Sequence, residues 1–87
     1  MSIEELKDKF KINEPSYGNI DMIQLSNVIK YCKVSLELDA KTLDYYFSID
    51  IKALCECDIP SDEIDELVNS GWALNEHKNS LILYVKI

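Results

Sequence analysis

Two stretches of alternating apolar and polar residues, separated by a short polar segment, constrain the fold of this chain more than any other feature. Every second residue is apolar from Cys32 to Leu38, and the same holds from Leu43 to Ile51. Side chains of a β-strand point alternately to opposite faces, so each stretch is typical of a strand with one buried face. Residues 39–42 between them are few and, apart from Ala40, polar. The pattern therefore predicts an antiparallel hairpin over residues 32–52.

Helical signals precede and follow this hairpin. Ser2 and Glu5 have the spacing of a capping box, which predicts a helix that starts there and ends before Pro15. Ser61 as a cap and Gly71 as a stop predict another helix between them. Both segments carry apolar residues at helical spacing, so each helix has one face to bury.

Residues 20–31 fit either a helix or a strand, and we favour a helix over Asp21–Ile29. A second hairpin is predicted at the end of the chain, from Trp72–Leu74 and Leu81–Ile87 around the polar residues 75–79. We therefore expect an α+β fold: one domain over residues 1–87, with a four-stranded antiparallel sheet and two or three helices packed on one face. The order of the strands is left open. In a simple meander the last strand is an edge; otherwise it returns between the earlier strands.

Size and composition exclude several classes of protein. The chain has 87 residues, of which 47% are hydrophobic, enough for one small core. No apolar run approaches the roughly 20 residues that span a bilayer, so we expect no membrane association. The first residues are acidic and show no secretory signal, and the three cysteines are an odd number. Both features favour reduced thiols and a cytoplasmic location.

The net charge is −7, and every one of the nine cationic residues is a lysine. Arginine supplies the forked donor that grips phosphates and guanine edges. An acidic chain without arginine is a poor candidate for direct nucleic-acid binding or for an anionic membrane surface.

The negative charge is concentrated in one part of the chain, residues 53–77, which contain seven acids and no lysine. The remaining nine acids and nine lysines cancel. Six of the seven acids lie close together and form the candidate partner-binding site: Glu56, Asp58, Asp62, Glu63, Asp65 and Glu66. The alternative is an ordinary solvated helix face, with the first acids placed where the helix dipole favours anions.

Tyr46 and Tyr84 are a second group of candidate partner-binding residues. They fall, with Ile82, at positions that the alternation assigns to the polar face of the sheet. Tyrosine is enriched in interfaces because it combines a large apolar body with a polar tip. Either this face meets a partner or a helix covers it.

The residues capable of chemistry favour a protein that is not an enzyme and holds neither cofactor nor metal. One residue between Cys55 and Cys57 is too few for the usual zinc knuckle. His77, the single histidine, lies in a predicted turn, where no sheltered nucleophile is expected.

We therefore expect a non-catalytic, acidic protein-binding module that docks on a basic protein. Small acidic inhibitors of nucleic-acid-handling proteins, such as immunity or phage counter-defence proteins, work by this physical logic, in which carboxylates mimic phosphates. The alternative is a small assembly subunit, a homodimer that self-associates through its carboxyl-terminal strand.

Overall fold

The computed structural model describes residues 2–18 and 22–85, and in them the predicted α+β fold is confirmed. One four-stranded antiparallel sheet has the order β1-β2-β4-β3. Its strands are β1 (Val34–Leu38), β2 (Tyr45–Asp50), β3 (Ala73–Asn75) and β4 (Ser80–Val85). The described helices are α1 (Ile3–Phe10), α2 (Met22–Ile29), α3 (Ile51–Glu56) and α4 (Ser61–Asn69), one more than expected. None of them is long and apolar enough to cross a membrane.

The predicted hairpin over residues 32–52 is formed by β1 and β2, but its second strand is shorter than the alternation indicated. Leu36 lies opposite Phe47, and Val34 lies opposite Ile49. The strand ends at Asp50, whose side chain accepts a hydrogen bond from the Lys52 amide and so caps α3. Ile51 and Leu54 of this helix are buried. Because a short apolar run can satisfy both periodicities, the alternation concealed this helix.

The final strand, β4, lies in the centre of the sheet and not at an edge. It pairs with β2 on one side, where Phe47 lies opposite Leu83, and with β3 on the other. The chain reaches this position by passing from β2 through α3, α4 and β3 before it returns beside β2. The meander is therefore excluded, and with it the exposed carboxyl-terminal edge through which the alternative subunit would self-associate. Lys86 and Ile87 lie outside the described residues.

Helix boundaries follow local capping chemistry. The Glu5 amide donates to the Ser2 hydroxyl over 3.2 Å, as the capping box predicted. Gly71 follows α4 with a φ of +96°, and its amide donates to the Val68 carbonyl while the Trp72 amide donates to Leu67. These bonds form a Schellman motif, which ends the helix.

Two predicted boundaries need correction. Ser61 is the first residue of α4 and not its cap; the capping position is Pro60, which has no side-chain donor or acceptor for this purpose. Residues 22–29 are helical as favoured, whereas Asp21 lies outside the described residues.

The core lies between one face of the sheet and the helices. Each described helix contributes apolar side chains to this face, which we call the helix face. The side chains that fill it from the sheet are Ile49, Leu81 and Leu83, and those from the helices and the segment after α4 are Leu6, Phe10, Val28, Ile51, Leu54, Ile64, Leu67 and Trp72. The opposite face, which we call the outer face, carries Tyr46 and Tyr84.

Candidate functional site

The six acids of the candidate site surround α4 and the connection that leads into it. We call them the acidic surface. Glu56 ends α3, Asp58 lies in the connection, and the other four belong to the first two turns of α4. All are exposed except Glu63, which is half-buried and has one carboxylate oxygen, Oε2, enclosed without a hydrogen-bond partner.

Lys9, from elsewhere in the described part of the chain, reaches the acidic surface. Lys9 of α1 places its Nζ 2.8 Å from Oδ1 of Asp65; the Lys9 side chain is 36% exposed and that of Asp65 is 58% exposed. Within residues 2–18 and 22–85, this is the single salt bridge to any of the six acids. The other described salt bridge joins Lys11 and Asp8 within α1. Most of the negative charge is therefore presented to solvent.

Tyr46 and Tyr84 form part of a row of three tyrosines across the outer face. They are directly opposed on β2 and β4, with ring centroids 5.6 Å apart. Tyr17, from the loop between α1 and α2, forms an isolated parallel bridge with Tyr84, and their centroids are 5.7 Å apart. Sequence reasoning missed Tyr17, because its place in the row depends on a long-range contact.

The hydroxyl groups of this row bind charged side chains. Tyr84 donates to Oδ2 of Asp39 over 3.2 Å, and Tyr17 donates to Asp44. Nζ of Lys78 donates to the Tyr46 hydroxyl over 3.2 Å and lies 5.9 Å from the centroid of that ring. The row thus meets partners within its own chain.

These contacts shift the pKa values of the groups involved. Partial burial, and then the bond to Asp39, raise the pKa of Tyr84. The bond to Asp44 raises the pKa of Tyr17, and the bond to Tyr46 raises that of Lys78. The Lys41 backbone amide, which donates to Asp39, holds the pKa of that carboxyl below its usual value. All four groups keep their ordinary charge at neutral pH.

The two groups of candidate residues lie on opposite sides of the molecule. The acidic surface belongs to helices on the helix face, whereas Tyr46 and Tyr84 line the outer face. No helix among the described residues covers the outer face; the Tyr17 loop and Lys78 lie over it instead. A single flat partner surface cannot contact both groups.

The structure also shows the surroundings of the cysteines and of the histidine. Cys57 lies beside Cys32 and donates its thiol to the Leu54 carbonyl. Burial, and to a lesser degree Cys57, raises the pKa of Cys32 to about 11, so this thiol is protonated at neutral pH. The described residues include no group of three potential metal ligands. His77 is exposed in the β3–β4 turn, at the rim of an open depression of about 470 Å³ on the outer face.

Comparison with known proteins adds no relative from which a role could be carried over. The chain shows no significant match to a protein-family model, to a curated protein or to a solved structure.

Proposed function

We propose that this protein is a non-catalytic binding module whose acidic surface docks on a basic surface of another protein. The observation that carries the proposal is the contrast between six clustered carboxylates and the single lysine that forms a salt bridge to them among the described residues. Such a cluster creates a local negative potential that attracts a cationic partner and accelerates its association.

The arrangement of acids along α4 argues against a merely solvated face. Asp62 lies four residues before Glu66 and three before Asp65, so like charges are neighbours on the same side of the helix. Such pairs destabilise a helix by a few tenths of a kcal/mol each. The helix dipole compensates only in the first turn, at Asp62 and Glu63. A basic partner would neutralise the remaining repulsion.

An inhibitor of a nucleic-acid-handling protein is the partner relationship that this charge suits best. The phosphate-binding surface of such a protein is rich in lysine and arginine. A compact array of carboxylates can compete for that surface. The immunity and phage counter-defence classes of inhibitor use this logic, and the proposal extends to them on charge and size alone.

The absence of catalysis is part of the same proposal. His77 is exposed, and no described residue forms a hydrogen bond with it that would orient it as a base. The raised pKa of Cys32 leaves its thiol a weak nucleophile. The partner-binding role of Tyr46 and Tyr84 remains a prediction for a separate surface.

A pair of charge-reversal variants tests the docking proposal. In D62K/E66K, two acids of the acidic surface become lysines, and Asp65 keeps its bond to Lys9. The matched control is E4K/E14K, which makes the same charge change outside the surface and also replaces one first-turn acid of a helix. Proteins from the native host that the immobilised unmodified chain retains are identified by mass spectrometry. The affinity of the retained protein for the unmodified chain and for each variant is then measured with purified components.

We expect D62K/E66K to weaken binding roughly tenfold or more, and rising salt to slow association of the unmodified protein. Stability should change by no more than about 1 kcal/mol, because these side chains are exposed. Equal affinity of both variants for the retained protein would overturn the proposal.

A further inference from the structure

The β1 edge of the sheet carries apolar side chains that the rest of the chain leaves exposed. Leu36 is 52% exposed, Leu38 is 50% exposed, and Tyr45 beside Leu38 is 40% exposed. They belong to the helix face but lie beyond the helices, whereas Ile49 on the same face is fully buried. An apolar edge strand of this kind invites pairing with another strand.

The backbone of β1 also has hydrogen-bonding groups directed away from the sheet. The Asp39 amide donates to the Asp44 carbonyl, which places the odd-numbered residues of this strand against β2. The Ile51 amide donates to Asn79 on the β4 side, in agreement with the same alternation. The amides and carbonyls of Val34, Leu36 and Leu38 therefore face the free edge, and none of the described residues pairs with them.

We propose that β1 pairs with the β1 strand of a second copy of this chain, antiparallel and centred on Leu36, to form a dimer with one continuous sheet. The occupant is identified by the self-complementary sequence of the strand. In this register Leu36 faces its own copy and Val34 faces Leu38. Apolar residues thus meet apolar residues along the whole helix face of the junction, and about six inter-copy backbone hydrogen bonds form.

Charge complementarity selects the same partner on the outer face. Lys33 lies opposite Asp39 of the other copy and diagonal to its Glu37. A shift by one pairing step in one direction would place Glu37 against Glu37, which like-charge repulsion disfavours. Because the interface is two-fold symmetric, each favourable pair occurs twice.

This dimer is independent of the proposed function and of the excluded carboxyl-terminal edge. The acidic surface lies on α3 and α4, and the junction lies on β1. The D62K/E66K variant should dimerise as the unmodified chain does, so failure of one proposal is distinguishable from failure of the other.

The first experiment measures mass and dissociation constant by sedimentation at micromolar concentration. We expect a species of twice the chain mass of 10.0 kDa that dissociates on dilution. Ser35 lies opposite Glu37 of the second copy, so S35K adds an attraction and S35E a repulsion at the same position. Because each acts twice, the dimer Kd should differ roughly tenfold between them, S35K being tighter.

Two leucine-to-lysine substitutions test whether the dimer depends on the β1 edge or on exposed leucine in general. L36K places a charge at the two-fold axis and should give a monomer, whereas L43K removes a leucine that is 72% exposed in the β1–β2 turn and should leave the dimer intact. Circular dichroism checks that both variants fold. A third readout tests the register in chains whose native Cys32, Cys55 and Cys57 are replaced by alanine. In this background L36C should form an intermolecular disulfide on mild oxidation, because Leu36 meets its own copy. L38C should not, because it faces Val34.

A monomer at all concentrations would overturn the proposal. A dimer that is indifferent to the Ser35 variants, or one in which L38C and not L36C crosslinks, would also overturn it, since the copies would then meet in another register or at another surface.

Discussion

The two edges of the sheet are built in opposite ways. The β3 edge has only three residues, and beyond it the loop before α2 continues the pairing of β4: the Tyr84 amide donates to the Ser16 carbonyl, and the Gly18 amide donates to the Tyr84 carbonyl. The β1 edge has five residues, with apolar side chains at alternate positions. No segment in the described part of the chain pairs with its free side.

The loop that pairs with β4 beyond the end of β3 is anchored by side chains as well as by backbone. Asn13 donates from its Nδ2 to the carbonyls of Val68 and Trp72, each over 2.8 Å, and so fixes the loop to the end of α4. Proteins commonly shorten or cover the edges of their sheets to prevent unwanted pairing. The loop protects the part of β4 beyond β3 in this manner, whereas no described residue pairs with the free edge of β1, and this contrast supports a role for β1 in pairing.

The largest effect that sharpens this comparison is expected from Gly18→Ala. A Cβ atom at this position would lie 2.7 Å from Cδ1 of Leu83, a buried side chain on the helix face. The loop or Leu83 must therefore shift, and we expect a loss of about 1–3 kcal/mol in the free energy of unfolding. Chemical denaturation measures this loss in the free energy of unfolding.

The double variant G18A/L83V is the control. Valine lacks the Cδ atoms that meet the new methyl group, so the added cost of G18A should be smaller in this background than in the unmodified chain. Equal costs in both backgrounds would show that the tight approach of the loop to β4 is not the reason for glycine.

A medium effect is expected at the turn that ends the β1 edge. Leu43 adopts a φ of 60° in the left-handed region and is mostly exposed. A branched apolar residue is unfavourable there, whereas asparagine tolerates this conformation. Leu43→Asn should stabilise the fold by about 1 kcal/mol, read from the denaturation midpoint. Asn79, which has a φ of 49° in the β3–β4 turn, is the comparison: Asn79→Leu should destabilise. A loss of stability in L43N would refute the strain argument.

Sequence reasoning found the elements whose causes are local. The Ser2 cap, the Gly71 stop and the alternation of β1 depend on neighbours within a few residues, and each matches the structure. The helix α3 was missed because Ile49 and Ile51 suit a continuing strand equally well, and only the Asp50 cap divides them.

Features that depend on distant contacts could not be read from the sequence. The central place of β4 is decided by long-range pairing, and so are the Tyr17–Tyr84 bridge and the approach of Lys9 to Asp65. Within the candidate site, the clustering of the acids on α4 was visible as a run in the sequence. Its separation from the tyrosines depends on the long-range strand pairing that directs Tyr46 and Tyr84 to the outer face.

The smallest expected effect concerns the start of the β1 edge, where Cys32 is half-buried against the core two residues before the strand. Burial raises the pKa of its thiol from 9.0 to about 11, so the folded chain holds this proton more tightly than the unfolded chain. The resulting stabilisation is fully present below pH 9.0 and is lost as the pH rises through about 11. The effect is modest, because solvent reaches much of the side chain.

Cys32→Ala should flatten the alkaline decline in stability, measured by denaturation across this range. The pKa of Cys55 is also raised by burial, but in that case to a smaller extent, so Cys55→Ala is the matched control and should flatten the decline less. If the stability of both variants falls with rising pH as steeply as that of the unmodified chain, burial of the protonated Cys32 thiol does not contribute to the stability of this edge.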